Sequence, residues 1–110
     1  MPLRNKATLL CSDLVQLEWA DDSGVFRRAA AILEEIHPSG ALLLLEADYP
    51  PSRAVPVLLS PCGYAGKARH RRVSDSGVLL QITFDRGVRW CVDEYRPTHA
   101  FDPTTFSATV

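Results

Sequence analysis

The densest chemistry in this sequence is cationic. Lys67, Arg69, His70, Arg71 and Arg72 crowd into one short stretch. In an extended segment Lys67, Arg69 and Arg71 share a face, because strand side chains alternate. Such a stripe suits phosphate groups or an acidic protein partner. More often such a stripe is a solvated face that blunts a sheet edge. No aromatic residue interleaves with it, so it makes no stacking platform for single-stranded nucleic acid.

The remaining reactive side chains are scattered. His37, His70 and His99 lie far apart, and no nucleophile sits in a motif such as G-x-S-x-G. No glycine-rich phosphate loop is present. Cys62, His70, Cys91 and His99 are a conceivable zinc set, but their spacing matches no structural zinc class. The chain therefore reads as a binding module and not an enzyme, with no cofactor and no metal. A small metal-binding or enzymatic barrel is the remaining alternative. Cys11, Cys62 and Cys91 are odd in number and form no Cys-x-x-Cys pair. They are expected to be reduced, mostly buried thiols in a cytoplasmic protein.

These side chains must be held by strands. Asp13 to Trp19 alternates, with Val15, Leu17 and Trp19 on one face and Gln16 and Glu18 on the other. Asp21-Asp22-Ser23-Gly24 follows as a hairpin turn. Val25 to Ile36 is ambiguous. Its alanines, leucine and glutamates favour a helix, period two fits as well, and neither face is cleanly apolar. His37-Pro38-Ser39-Gly40 is a turn, and Ala41 to Glu46 reads as a central strand. Ala54 to Ser60 alternates, with Pro56 pushing it toward an edge. Pro61-Cys62-Gly63 turns the chain. Tyr64 to Val73 looks extended, Ser74 to Gly77 turns again, and Val78, Leu80, Ile82 and Phe84 form a core stripe. Trp90, Tyr95 and Phe101 mark a tail in which Pro97 and Pro103 prevent a long helix. They suit either a partner patch or a cover for the barrel mouth. Short strands between Gly, Pro, Ser and Asp turns make the fold class mainly β, a small sandwich or barrel.

Composition narrows the partners. At 110 residues the chain is one domain, and 46% hydrophobic content supports a core without staples. A formal net charge of -1 gives no general attraction to DNA, RNA or acidic lipid. The longest apolar run, Ala41 to Leu45, is too short to span a bilayer, so no membrane insertion is expected. Asp13 interrupts the apolar N-terminal patch before a signal sequence could form.

The order of features from about Arg4 to Trp90 resembles the PilZ domain family. The stretches that carry the resemblance are Glu35-Ile36-His37-Pro38-Ser39-Gly40-Ala41-Leu42, Cys62 to His70, and Gly77 to Asp85. The resemblance implies a six-stranded antiparallel β-barrel over about residues 12–86, with an irregular or short-helical tail over 87–110. It also implies that Val25 to Ile36 is a strand, against local propensity. Further, it implies a bacterial signalling module whose ligand is cyclic di-GMP. The family carries Asp/Asn-x-Ser-x-x-Gly between its second and third strands and Arg-x-x-x-Arg before the first. Here Glu35, His37 and Gly40 take the first set of places. Arg4 takes the first arginine position, with Thr8 four residues on and Lys6 nearby. Arginine forks pair with phosphate and stack on guanine, and the turn offers acceptors to guanine edges. With both motifs altered, the alternative is a barrel of the same type that binds no nucleotide. It would instead engage a protein in motility, adhesion or secretion signalling.

Overall fold

The alternating segment is β1, Leu9–Ala20. Val15, Leu17 and Trp19 turn inward and are buried, as the period-two pattern requires. In this computed structural model, which describes residues 8–46, 50–51, 55–74 and 77–101, six further strands follow. They are β2 (Phe26–His37), β3 (Gly40–Leu45), β4 (Pro56–Ser60), β5 (Tyr64–Ser74), β6 (Gly77–Phe84) and β7 (Ala100–Phe101). No helix occurs among the described residues.

The sheet order is β2-β3-β6-β5-β4-β1, and β1 pairs again with β2. That last pairing closes six antiparallel strands into a barrel. Strand β1 has β2 along one edge. Its other edge is shared by β4, over Gln16 to Trp19, and by β7, at Leu10 and Cys11. The inward residues form one core in which Leu17, Leu33, Ile36, Leu43, Leu45, Leu59, Leu80 and Ile82 are fully buried. Each such side chain contributes about 1.5–3 kcal/mol of transfer free energy.

Segment β2 is a strand although its composition favours a helix. It pairs with β1 on one side and β3 on the other, and this two-sided pairing outweighs a weak propensity. A bulge between Leu33 and Glu35 explains why neither face looked apolar. Ala31 and Leu33 point inward before it, and Ile36 points inward after it, so the alternation changes phase.

Pro56 does not mark an edge strand. Strand β4 lies between β1 and β5. Pro56 is its first residue and faces Lys67 of β5, while pairing with β1 starts only at Val57. The missing N–H thus costs no ladder bond on the β1 side. Strand β5 pairs with β4 over residues 64–67 and with β6 from Gly66 to Ser74. The cysteines also differ from expectation, since Cys11 and Cys62 are half-buried and Cys91 is exposed.

After β6 the chain crosses the barrel end that holds the β2–β3 turn. Trp90 is buried and plugs this mouth, so it serves the core and not a partner patch. Its backbone N–H donates to Pro38 O at 3.1 Å and its Nε1–H to Tyr95 O at 2.6 Å. Tyr64 donates its phenol hydrogen to Glu94 Oε1 at 2.8 Å. The strap ends on Asp13, whose carboxylate accepts the backbone N–H of Thr98 at 2.5 Å and of His99 at 2.9 Å.

Candidate functional site

The β2–β3 hairpin turns on Pro38 and Ser39, with His37 paired to Gly40. His37 closes this turn with its own ring. Its Nδ1 accepts the N–H of Ser39 at 3.3 Å and lies 3.1 Å from the Ser39 hydroxyl. An accepting Nδ1 places the imidazole proton on Nε2. Burial pushes the His37 pKa below its ordinary value, and the nearby Glu35 charge only partly opposes this. The ring is therefore neutral at neutral pH.

Gly40 is required by space. A Cβ there would stand 2.3 Å from the Ile82 carbonyl oxygen and 3.3 Å from His37 Cε1. Its backbone is ordinary, and the constraint is the close approach of β6 and of the histidine ring.

The strand register joins this turn to the basic strand. Directly opposed residues share a face of a sheet. His37 faces Gly40, Gly40 faces Thr83, and Thr83 faces Lys67. Two residues along, Glu35 faces Leu42, Leu42 faces Gln81, and Gln81 faces Arg69. The row between them, Ile36, Ala41, Ile82 and Ala68, is wholly buried. Both flanking rows therefore lie on the outside of the barrel. Lys67, Arg69 and Thr83 are exposed, while Glu35, His37, Leu42 and Gln81 are half-buried. Each row crosses three inter-strand spacings, roughly 14 Å in all at about 4.8 Å each.

Of the residues singled out from the sequence, Glu35, His37, Gly40, Lys67 and Arg69 thus come to one outer face. Arg4 and Lys6 lie outside the described residues. Leu9 pairs with Ile36, so β1 begins beside the hairpin that carries Glu35 and His37. The expected stripe of Lys67, Arg69 and Arg71 is interrupted. A bulge between His70 and Arg72 sets Arg72, not Arg71, opposite Leu79, and Arg72 is exposed. The Arg71 side chain is outside what is described.

At the Lys67 end this face opens into a groove of about 450 Å³ lined by Lys67, Arg69, Thr83, Asp85 and Arg86. Lys67 Nζ stands 3.7 Å from Asp85 Oδ1. Among the described residues neither Arg69 nor Arg86 meets a carboxylate. Thr83, Asp85 and Arg86 were not visible as site residues in the sequence. A second hollow of about 220 Å³ over Leu14, Gln16, Ala30 and Pro61 carries no charged side chain. Among the described residues no three His, Cys, Asp or Glu side chains gather as metal ligands.

Comparison with family models, with curated proteins and with solved structures finds no match to this chain.

Proposed function

We propose that this chain is a PilZ-type bacterial signalling module that receives cyclic di-GMP on the outer face of β2, β3, β6 and β5. The observation that supports this is the register, which sets Glu35, His37 and Gly40 in the same two rows as Lys67 and Arg69. Cyclic di-GMP carries two phosphodiesters and two guanines. A receptor needs cations for the former and acceptors for the N–H edges of the latter. Glu35 is an acceptor-only group, and Arg4 and Lys6 add charge from the segment that leads into β1. The module is non-enzymatic and acts in the cytoplasm.

Isothermal titration of cyclic di-GMP at low salt, with GTP as control, tests this reading. Micromolar or tighter binding is expected, lost in Arg4→Ala and in Glu35→Ala. Absence of heat and of any thermal shift at high ligand concentration would sink it.

A second reading is favoured by two observations. His37 spends its Nδ1 on its own turn, and an apolar outer row runs through Leu14, Ile32, Leu44 and Leu79. Leu14 is 72% exposed. Such a face fits a nucleotide-independent adaptor for a protein in motility, adhesion or secretion. Capture of a defined partner by the wild type, abolished by Leu14→Glu without added nucleotide, is its test.

A further inference from the structure

Arg69 and Arg86 are exposed guanidinium groups without a carboxylate partner among the described residues, and both line the groove between β5 and the end of β6. Most surface arginines can swing toward any nearby acid. Here the one carboxylate lining the groove among the described residues, Asp85, is already beside Lys67. The groove thus holds three cations, one anion and the hydroxyl of Thr83. A planar guanidinium fork pairs with phosphate oxygens in bidentate fashion, and two such forks line this hollow. A volume of about 450 Å³ lies within the range of small-ligand sites.

We infer that this groove is a phosphate seat: Arg69 and Arg86 grip a phosphate ester and Thr83 donates its hydroxyl to it, while Lys67 keeps Asp85 paired. The chemical class is a small phosphate ester or diphosphate. The seat lies in the same outer row as Gly40 and His37, with Thr83 as the shared link. A dinucleotide whose bases reach the β2–β3 turn would therefore set one phosphate here. That second step rests on the cyclic di-GMP reading, and the seat itself does not.

The test is an amide-resonance titration with inorganic pyrophosphate at low ionic strength, on the wild type and on the double variant Arg69→Gln/Arg86→Gln. Both side chains are exposed, and an unchanged melting temperature controls for folding. Saturable shifts are expected at Lys67, Arg69, Thr83 and Arg86, with affinity reduced about ten-fold or more in the variant, as loss of charged hydrogen bonds dictates. No saturable shift by about 10 mM, a concentration where even millimolar binding registers, would overturn the proposal. So would shifts of equal affinity in the variant. Titrating cyclic di-GMP into the same two proteins separates the two ideas. Pyrophosphate binding without cyclic di-GMP binding removes the receptor reading and leaves the seat. Cyclic di-GMP binding that the variant leaves unchanged, with no pyrophosphate shifts, removes the seat and leaves the receptor.

Discussion

Asp13 and His99 stand 86 positions apart, yet the carboxylate of the first accepts the backbone N–H of the second at 2.9 Å. Thr98 donates to the same carboxylate. This pair holds the strap that carries Trp90 across the barrel mouth. Asp13→Ala would leave two amides without their acceptor. The expected cost is at least about 1.5–3 kcal/mol, the worth of a hydrogen bond to a charged group. Urea denaturation measures it, and hydrogen exchange at Thr98 and His99 should accelerate. Unchanged exchange at these two amides would refute the latch.

The same carboxylate makes the fold sensitive to acid. Burial works against its charge, but the His99 and Thr98 amides outweigh burial and hold its pKa below the ordinary 3.8. A depressed folded pKa means that the stabilisation is complete above 3.8 and drains away as pH falls through the folded value. Asp21 shifts in the same direction through its bonds to Val25 and Arg27. Denaturation midpoints should therefore fall on acidification below pH 3.8, and less steeply in Asp13→Asn. An identical slope in the variant would exclude Asp13 as a source.

His37 titrates in a higher window. Its folded pKa lies below 6.5 because burial penalises the cation. Stability from the neutral ring is complete above 6.5 and is lost as pH falls through the folded midpoint. A protonated Nδ1 also cannot accept the Ser39 N–H. Nitrogen-resolved imidazole spectra should give a midpoint below 6.5, and Glu35→Gln should lower it further, since Glu35 raises it. A midpoint that rises in Glu35→Gln would contradict this account.

Gly40→Ala should destabilise the barrel by steric pressure. The new methyl would press on the Ile82 carbonyl at 2.3 Å, and over-packing of this kind costs about 1–3 kcal/mol. Gly24→Ala differs in mechanism. Nothing lies near a Cβ at Gly24, but its φ is +83°, so only backbone strain opposes the change. Chemical denaturation of the two variants, with amide shifts of β6 perturbed in the first alone, checks the distinction.

Thiol reactivity should separate the cysteines. Cys91 is exposed. Burial, reinforced by the charges of Asp13, Glu35 and Glu34, pushes the Cys11 thiol up to about 12, and burial also raises Cys62. Iodoacetamide at neutral pH followed by peptide mass analysis should find Cys91 modified first, because the thiolate is the nucleophile.

The alternation that made β1 readable placed Val15, Leu17 and Trp19 correctly, because a half-buried strand writes its own period. Asp13 continues that phase and is buried too. Nothing local announces it, since the amides that satisfy it belong to the far end of the chain. The bulges in β2 and β5 hid themselves for another reason. One inserted residue reverses the faces, so Ala31, Leu33 and Ile36 obey no single period, and Arg72 takes the place expected for Arg71. The turn residues Glu35, His37 and Gly40 and the cations Lys67 and Arg69 were each visible in the sequence. Their adjacency was not, because it depends on β6 lying between β3 and β5. Thr83 is the residue that links them, and an isolated threonine on a strand carries no signal.

The pairing of β1 with β2, β4 and β7 has a consequence for the order of synthesis. Strand β1 leaves the ribosome before its partners and can pair with β2 as soon as β2 follows. Its other edge waits for Val57 to Ser60 and then for Ala100 and Phe101. At about 5–20 residues per second, that edge stays open on the order of several seconds. During this interval Leu17 and Trp19 lack their β4 neighbours, Leu59 and Val57. The edge at Leu10 and Cys11 is the last to be covered, when Ala100 and Phe101 arrive.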